Sequence, residues 1–469
     1  MRRAAKRGAG KHARHVPGAG VAAEHVLSQQ DCRRLAERIF ELSDADETEV
    51  QIDSNADALT RFANNTIHQN VAEQTLSISV RTVFDGRTAR ATTNKTDEDS
   101  LWRVLAASAE LARQQPKNPN LLPMPGPQKY PRVARYFEST AAATPDDRAR
   151  VVARAVKLAA KNGQTAAGLF STGSMQNVIA NSRGLFAAYR QTRAEFSITA
   201  MQEDSSGWAK ANAPDLRSLD PVTLAASASR KAAASRAPRE LPPGRYTVIL
   251  EPAATLDLVG FLFYDFSATA VADRRSCLNG RVGRKIFGEN ISLWDDAAHP
   301  GQLGAPYDGE GMARQKVRLV ERGVARNLVY SRATAEKLKA KATGHGMPLP
   351  NEWGEAPINL VLEGGNASVE EMVSATERGI LVTRVWYIRE VDPYEKVLTG
   401  MTRDGTFLIE DGRVVCGIRN FRFNQGMLEL LSNVEALGPA VRTAGEEAFE
   451  MVVPAMKVRD FHFTDVTKF

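Results

Sequence analysis

Between Arg245 and Ala272 the chain reads RYTVILEPAATLDLVGFLFYDFSATAVA. A strand-like run, Tyr246 to Leu250, feeds an apolar helix-like run opened by Pro252. Proline fits the first helical position, because the N–H it lacks has no intrahelical partner there. Leu256, Val259 and Phe263 then recur at the spacing of one helix face. This stretch is also the nearest approach to a membrane span, but it contains Glu251, Asp257 and Asp265. Three carboxylates are costly in lipid, so the stretch is expected to be a strand leading into one buried core helix, with no membrane involved. It carries no histidine, and none occurs anywhere from Tyr246 to Leu293.

A length of 469 residues is long for one hydrophobic core, so two or three domains are expected. The hydrophobic share of 43% and charged share of 25% are those of an ordinary globular chain. The net charge of +6 is unevenly placed. Residues 1–30 hold Arg2, Arg3, Lys6, Arg7, Lys11 and Arg14 against Glu24, which leaves the rest of the chain close to neutral. The start is expected to be a disordered basic tail, and it lacks the apolar stretch of a secretory or twin-arginine signal. A near-neutral body also speaks against direct nucleic-acid binding. Cys32, Cys277 and Cys416 lie far apart and form no Cys-x-x-Cys, which suits a reducing cytoplasm.

After the tail, Ser28-Gln-Gln-Asp31 reads as a helix start, with a hydroxyl cap and an acid three residues on. Strand signals follow at Glu49–Ile52 and Leu76–Val80, and Asp85-Gly86 supplies a hairpin turn before Thr88–Thr93. Asp97 to Gln115 is amphipathic. Residues 31–115 are thus expected to form a small α/β domain. A proline-rich stretch, Gln115 to Pro131, separates it from a middle α+β domain, residues 116–238. There Thr144-Pro145-Asp146-Asp147 starts a helix, strand-like runs occupy 166–171, 176–180, 185–192 and 195–202, and an Ala/Ser-rich helix runs from Pro221 to Ala237. Residues 239–244 read as a linker. From 245 to 469 the pattern becomes short β-rich segments between Gly turns, with clear helices only at Pro252–Ala272 and Val369–Arg378. The fold class is α+β: a small N-terminal α/β unit, a middle α+β unit, and a mostly antiparallel β-rich C-terminal domain with one buried helix.

Residues with catalytic chemistry are sparse. The seven histidines include no close pair outside the tail, whereas zinc sites usually show one. A site assembled from distant ligands, such as His345 with Asp308 or Cys277, stays open. No Gly-x-Ser-x-Gly and no phosphate-binding glycine loop is present. Four local stretches are denser in functional types. Leu59–Asn65 with His68-Gln69-Asn70 packs polar side chains beside a strand. Tyr307-Asp308-Gly309-Glu310-Gly311 predicts a loop with exposed carboxylates, Thr343-Gly344-His345-Gly346 a histidine in a flexible loop, and Thr402-Arg403-Asp404-Gly405 a charged turn before a strand. Each reads first as turn hydrogen bonding from Asx or Arg side chains, and second as contacts with peptide or a partner chain.

In this order these stretches resemble the TldD/PmbA family, also called modulators of DNA gyrase. The resemblance rests on LTRFANNTIHQNV (59–71), GRYTVILEPAATLDLVGFL (244–262), the run from Pro306 to Leu338, ATGHG (342–346), GILVTR (379–384), LTGMTRDGTFLIEDGRV (398–414) and VVPAMKVRDFHFT (452–464). It implies a protease of two related subunits. The TldD subunit carries a His-Glu-x-x-x-His zinc motif and a C-terminal cysteine ligand; the TldE or PmbA subunit lacks the motif. Here the motif position falls on Pro252, Ala253 and onward to Asp257, and no cysteine follows Cys416. The resemblance therefore implies a TldE/PmbA-like subunit with no catalytic residue and no cofactor of its own. Zinc is expected in a TldD-like partner, and the substrate is expected to be unfolded peptide. His345, Arg403, Asp308 and Glu310 are the expected contacts to peptide or partner. The alternatives are a self-sufficient peptidase with a non-standard metal site, and a non-catalytic peptide-binding homodimer.

Overall fold

The computed structural model describes residues 26–467. The basic tail expected over residues 1–30 lies, as far as residue 25, outside the described residues. Helix α1 (Gln29–Leu42) begins at the predicted cap, with the Ser28 hydroxyl accepting from the Asp31 N–H and the Asp31 carboxylate accepting from the Ser28 N–H.

Six antiparallel strands form the first sheet: β1 (Glu47–Ala63), β2 (Thr66–Phe84), β3 (Arg87–Thr93), β4 (Thr165–Asn181), β5 (Phe186–Gln202) and β6 (Ser205–Ala213). Their order is β3-β2-β1-β4-β5-β6, so one sheet runs across the proline-rich stretch. Asn64-Asn65 and Asp85-Gly86 all have positive φ and close the two N-terminal hairpins as type I′ turns require. Side chains alternate along these strands. Val50, Ile52, Val178 and Ala180 pack against α1 and α2 (Glu98–Gln114) at one end of the sheet. Phe62, Phe170, Phe196 and Ile198 pack at the other, against α4 (Pro145–Lys161) and α5 (Pro221–Ala234). A short α3 (Glu138–Ala141) precedes α4, which starts at Thr144-Pro145 as predicted and is closed by a Thr144–Asp147 capping box. The opposite, polar face is covered by C-terminal segments: Tyr307 donates to Asn177 Oδ1 at 2.6 Å and Lys210 to the Gly445 carbonyl at 2.9 Å.

The C-terminal part holds β7 (Gly244–Leu250), β8 (Leu293–Asp295), β9 (Val317–Glu321), β10 (Val324–Ala325), β11 (Leu360–Leu362), β12 (Arg378–Asp392) and β13 (Val397–Glu410). It continues through β14 (Arg413–Gly417), β15 (Phe421–Gly426), β16 (Val434–Leu437), β17 (Val441–Thr443), β18 (Met451–Val453) and β19 (Met456–Val466). One sheet is β10-β9-β8-β11-β18-β17. The other runs β12-β7-β19-β15-β13, and β13 pairs back with β12, closing a five-membered barrel. Val248, Val385, Phe421, Phe423, Phe461 and Phe463 lie in its core, with Phe421 and Phe463 stacked at 4.6 Å.

Several elements differ from the sequence reading. The four strands expected in the middle domain are two long ones, β4 and β5, because pairing on both sides overrides the local break signals. Gly173 stays inside β4 because a Cβ there would meet Asp57 Oδ1 at 2.2 Å. The single helix expected over Pro252–Ala272 is divided into α6 (Pro252–Val259), a 3-10 stretch (Gly260–Phe266) and α7 (Ala268–Ala272). The aromatic-rich FLFYDF is a weak helix former, and the Ser267 hydroxyl restarts the helix by accepting from the Ala270 N–H. The helix expected to reach Arg378 ends at Ser374, as α9 (Val369–Ser374), since Arg378 is already in β12. Two further short helices are α8 (Arg332–Leu338) and α10 (Met427–Ser432). Thr402–Gly405 is not a turn before a strand but lies within β13, where Asp404 and Gly405, both with positive φ, form a bulge opposite Thr383, between the Val382–Thr406 and Arg384–Arg403 pairs.

Candidate functional site

Strand β7 is held between β12 and β19, and the Glu251 N–H continues the pairing onto the Val382 carbonyl. The chain then turns into α6, whose residues from Ala254 onward are buried. Asp257 is fully buried, and its carboxylate accepts from the N–H groups of Glu446, Glu447 and Ala448 at 3.0–3.2 Å. Burial pushes its carboxyl up to about 6, against the pull of those three N–H groups. Asp257 thus anchors the segment before β18 to α6.

These residues do not fit zinc. Pro252 and Ala253 offer no donor atom, and the Asp257 oxygens are engaged by the backbone. Further along, Asp265 accepts from the Cys277 N–H at 2.8 Å and lies 2.6 Å from the Lys396 ammonium, which also pairs with Glu390. A built-in cation therefore stands against the carboxylate nearest the Cys277 thiol, and burial with the Asp265 charge raises that thiol far above its ordinary value. Among the described residues no group of three or more His, Cys, Asp and Glu side chains is placed to hold a metal.

The structure brings three of the four predicted contact residues together, but inside the protein. The Asp308 and Glu310 carboxylates, expected to be exposed, are 3% and 5% accessible, and His345, expected in a flexible loop, is fully buried. The reason is clamping from both sides. Gln51 Nε2 donates to the Gly309 carbonyl at 2.9 Å and the Tyr130 hydroxyl to the Gly311 carbonyl at 2.7 Å, pinning the loop to the sheet. Asp308 accepts from the N–H groups of Glu310, Met312 and Gly346. His345 Nε2 lies 2.9 Å from Asp295 Oδ1, and Nδ1 lies 2.9 Å from the Thr343 hydroxyl. Burial raises the Asp295 carboxyl, but the combined pull of His345, Arg314 and the Asn359 N–H outweighs it and holds it below its ordinary value. His345 has no exposed surface, because both ring nitrogens are engaged within the fold.

Glu310 sits beside Asp308 and accepts from the Arg332 N–H at 3.2 Å. Burial, then the Asp308 charge, pushes its carboxyl up to about 7. The folded chain keeps this proton at pH values where the unfolded chain has lost it. The stability it contributes is full below the ordinary carboxyl range and is lost as pH rises through 7. Glu310→Gln removes that loss. Urea unfolding is expected to shift in the variant's favour by about 2 kcal/mol between pH 5 and pH 8, and a pH-independent difference would contradict this placement.

Arg403 stands apart, on the outside of the barrel. It lines a cleft of about 660 Å³ between β12, β13 and β15 on one side and the β5–β6 turn on the other. Arg419, Arg422, Trp386 and Ser205 also line it. None of these was singled out in the sequence. Their one local signal is the alternation of strands, which does not show that three strands and a remote turn converge.

Comparison with known proteins fits this architecture. A metalloprotease of Methanothermobacter thermautotrophicus is 26% identical over 280 residues, covering 56% of this chain and 60% of that protein. The match to a second archaeal metalloprotease, from Methanocaldococcus jannaschii, spans 48% of its length. The metalloprotease PmbA of Escherichia coli is 22% identical over 67% of this chain and 70% of its own. Among solved structures, TldE of Thermococcus kodakarensis superposes with a TM-score of 0.83 at 22% identity, over 92% of this chain and 99% of its own. A Thermotoga maritima protein described as a candidate modulator of DNA gyrase gives 0.84 at 20% identity, over 92% and 100%. Family models of the PmbA/TldA metallopeptidases match in order: domain 1 over residues 49–112, the central domain over 125–236 and the C-terminal domain over 243–465. Together these matches place nearly the whole described chain, and it belongs to the TldD/PmbA family of metallopeptidases.

Proposed function

We propose that this chain is the TldE/PmbA-type subunit of a two-subunit peptidase and does not itself hold the catalytic zinc. The observation that carries this reading is the state of the β7–α6 segment, where the Asp257 oxygens are spent on three backbone N–H groups and Lys396 stands against Asp265. A TldD-like partner would supply zinc and the water-activating base, and this chain would help enclose the chamber that admits unfolded peptide. Extended peptides present free backbone groups that can add to a strand edge, which folded proteins do not. Three free cysteines, two of them buried, accord with a cytoplasmic setting.

The test is co-expression with and without a TldD-like chain. A stable complex with zinc and peptide-cleaving activity is expected, with neither zinc nor cleavage in this chain alone. Stoichiometric metal with metal-dependent cleavage by the single chain would instead favour a self-sufficient peptidase. Self-association without activity, and without affinity for the TldD-like chain, would favour the peptide-binding homodimer.

A further inference from the structure

The barrel cleft has a chemistry that the subunit role does not explain. Three neighbouring strands place one row of side chains across it, since Trp386 pairs with Met401 and Met401 with Arg422. In the next row Arg384 pairs with Arg403. Cross-strand partners share a face, so these five side chains lie on the outside of the barrel, while Val385, Phe421 and Phe423 fill its inside.

Of the two acids in the cleft, Asp404 is paired and Asp204 uses one oxygen on a backbone N–H. Asp404 is bound by the Arg384 guanidinium and accepts from the Ser206 hydroxyl at 2.6 Å. Asp204 accepts from the Ala237 N–H at 2.9 Å. The basic groups are paired less closely. Arg403 lies over the Trp386 ring at 5.1 Å and reaches Asp404, already bound by Arg384, only at 3.6 Å. Arg422 has no acid partner among the described residues. Arg419 meets only Glu240, at 3.7 Å on the exposed rim. The Ser205 hydroxyl is buried without a hydrogen-bond partner. Asn420 uses its side-chain carbonyl on the hydroxyls of Thr402 and Thr406, which leaves its amide nitrogen as one more donor. The cleft therefore presents three arginines, Arg403, Arg419 and Arg422, and two further donors against one exposed carboxylate, Asp204, so positive charge is in excess.

Spacing selects the shape of the anion. Diagonal neighbours on adjacent strands, such as Arg403 and Arg422, stand about 7–8 Å apart. That is close to the separation of alternate side chains in an extended peptide, about 6.6 Å, and the long arginine side chains span the difference. Guanidinium forks match planar carboxylates. We infer that this cleft binds an extended acidic peptide segment, with carboxylates at alternate positions held by Arg403 and Arg422. The inference rests on the reading that the chain handles peptides, and it names the class of segment recognised.

The experiment is fluorescence anisotropy of the purified chain with a labelled hexapeptide of alternating Glu and Ala, and with its Gln and Lys analogues. The Glu peptide is expected to bind at least about tenfold tighter than the Gln peptide, and more weakly as salt rises. Arg403→Ala and Arg422→Ala are each expected to weaken it by about tenfold. Both side chains are on the surface, and matching thermal unfolding curves check that the variants fold. Equal binding of Glu and Gln peptides, or an unaffected double variant, would overturn the inference. So would full displacement of the peptide by equimolar inorganic phosphate or by a single-stranded oligonucleotide, which would mark a general anion site. Association of the double variant with a TldD-like chain is read separately. If that association persists while peptide selectivity is missing, the cleft inference falls and the subunit reading stands.

Discussion

Glu49→Ala is expected to lower the unfolding free energy by about 3–5 kcal/mol. Glu49, Arg81 and Arg90 form one cross-strand row, since Glu49 pairs with Arg81 on β2 and Arg81 with Arg90 on β3. The Glu49 side chain is 1% exposed and binds Arg81 Nη2 at 2.9 Å and Arg90 Nη2 at 2.6 Å. Burial alone would raise its carboxyl, but the two guanidiniums outweigh burial and hold it below its ordinary value. It is ionised at neutral pH, and the stability it contributes is lost only as pH falls through that lowered value. Alanine would leave two guanidiniums facing each other in a buried row. Arg90 also donates to the Leu349 carbonyl at 2.7 Å, so the loss would reach the contact between the sheet and the C-terminal part. Replacing Glu49, Arg81 and Arg90 together by leucine is expected to recover much of the loss, because no uncompensated charge then stays buried. Urea denaturation measures both, and a loss below about 1 kcal/mol for Glu49→Ala would show that water reaches the row.

Asp257→Ala is expected to cost about 2–4 kcal/mol, concentrated in the segment before β18. The substitution strands the N–H groups of Glu446, Glu447 and Ala448 at once. Gly445 packs directly on this carboxylate: a Cβ there would meet Asp257 Oδ1 at 2.1 Å. The same segment carries Glu447, whose carboxylate accepts from the Tyr387 N–H at 2.6 Å, and Glu446, 3.5 Å from Lys210. Hydrogen exchange of the amides of residues 446–448 is the direct readout. Exchange should accelerate strongly in Asp257→Ala and less in Asp257→Asn, which keeps one acceptor oxygen. Unchanged exchange in the alanine variant would refute the anchoring role. The result also bears on the family comparison, because it would assign a structural function to a residue at the motif position expected to hold zinc in a TldD-type subunit.

Much of the local structure was legible in advance because its causes lie within a few residues. A hydroxyl and an acid three positions apart suffice for the caps of α1 and α4. Asp85-Gly86 suffices for its hairpin, and Pro252 after a strand for the start of α6. The absence of histidine between Tyr246 and Leu293 needs no fold at all. What sequence reading missed depends on partners far along the chain. Asp308, Glu310 and His345 look like loop residues, and only the clamp from Gln51 and Tyr130 turns that loop inward. Thr402–Gly405 has turn chemistry, but strands on either side convert it into a bulge.

The same distinction governs the two places where function is argued. Composition alone establishes that the β7–α6 segment lacks histidine, because absence of a residue type is independent of folding. That the Asp257 oxygens are occupied depends on N–H groups 189 to 191 residues away. The acidic-peptide cleft exists because β13 pairs with both β12 and β15 while a turn from the first sheet covers it. Strand alternation assigns each arginine to a face; barrel closure decides which faces meet.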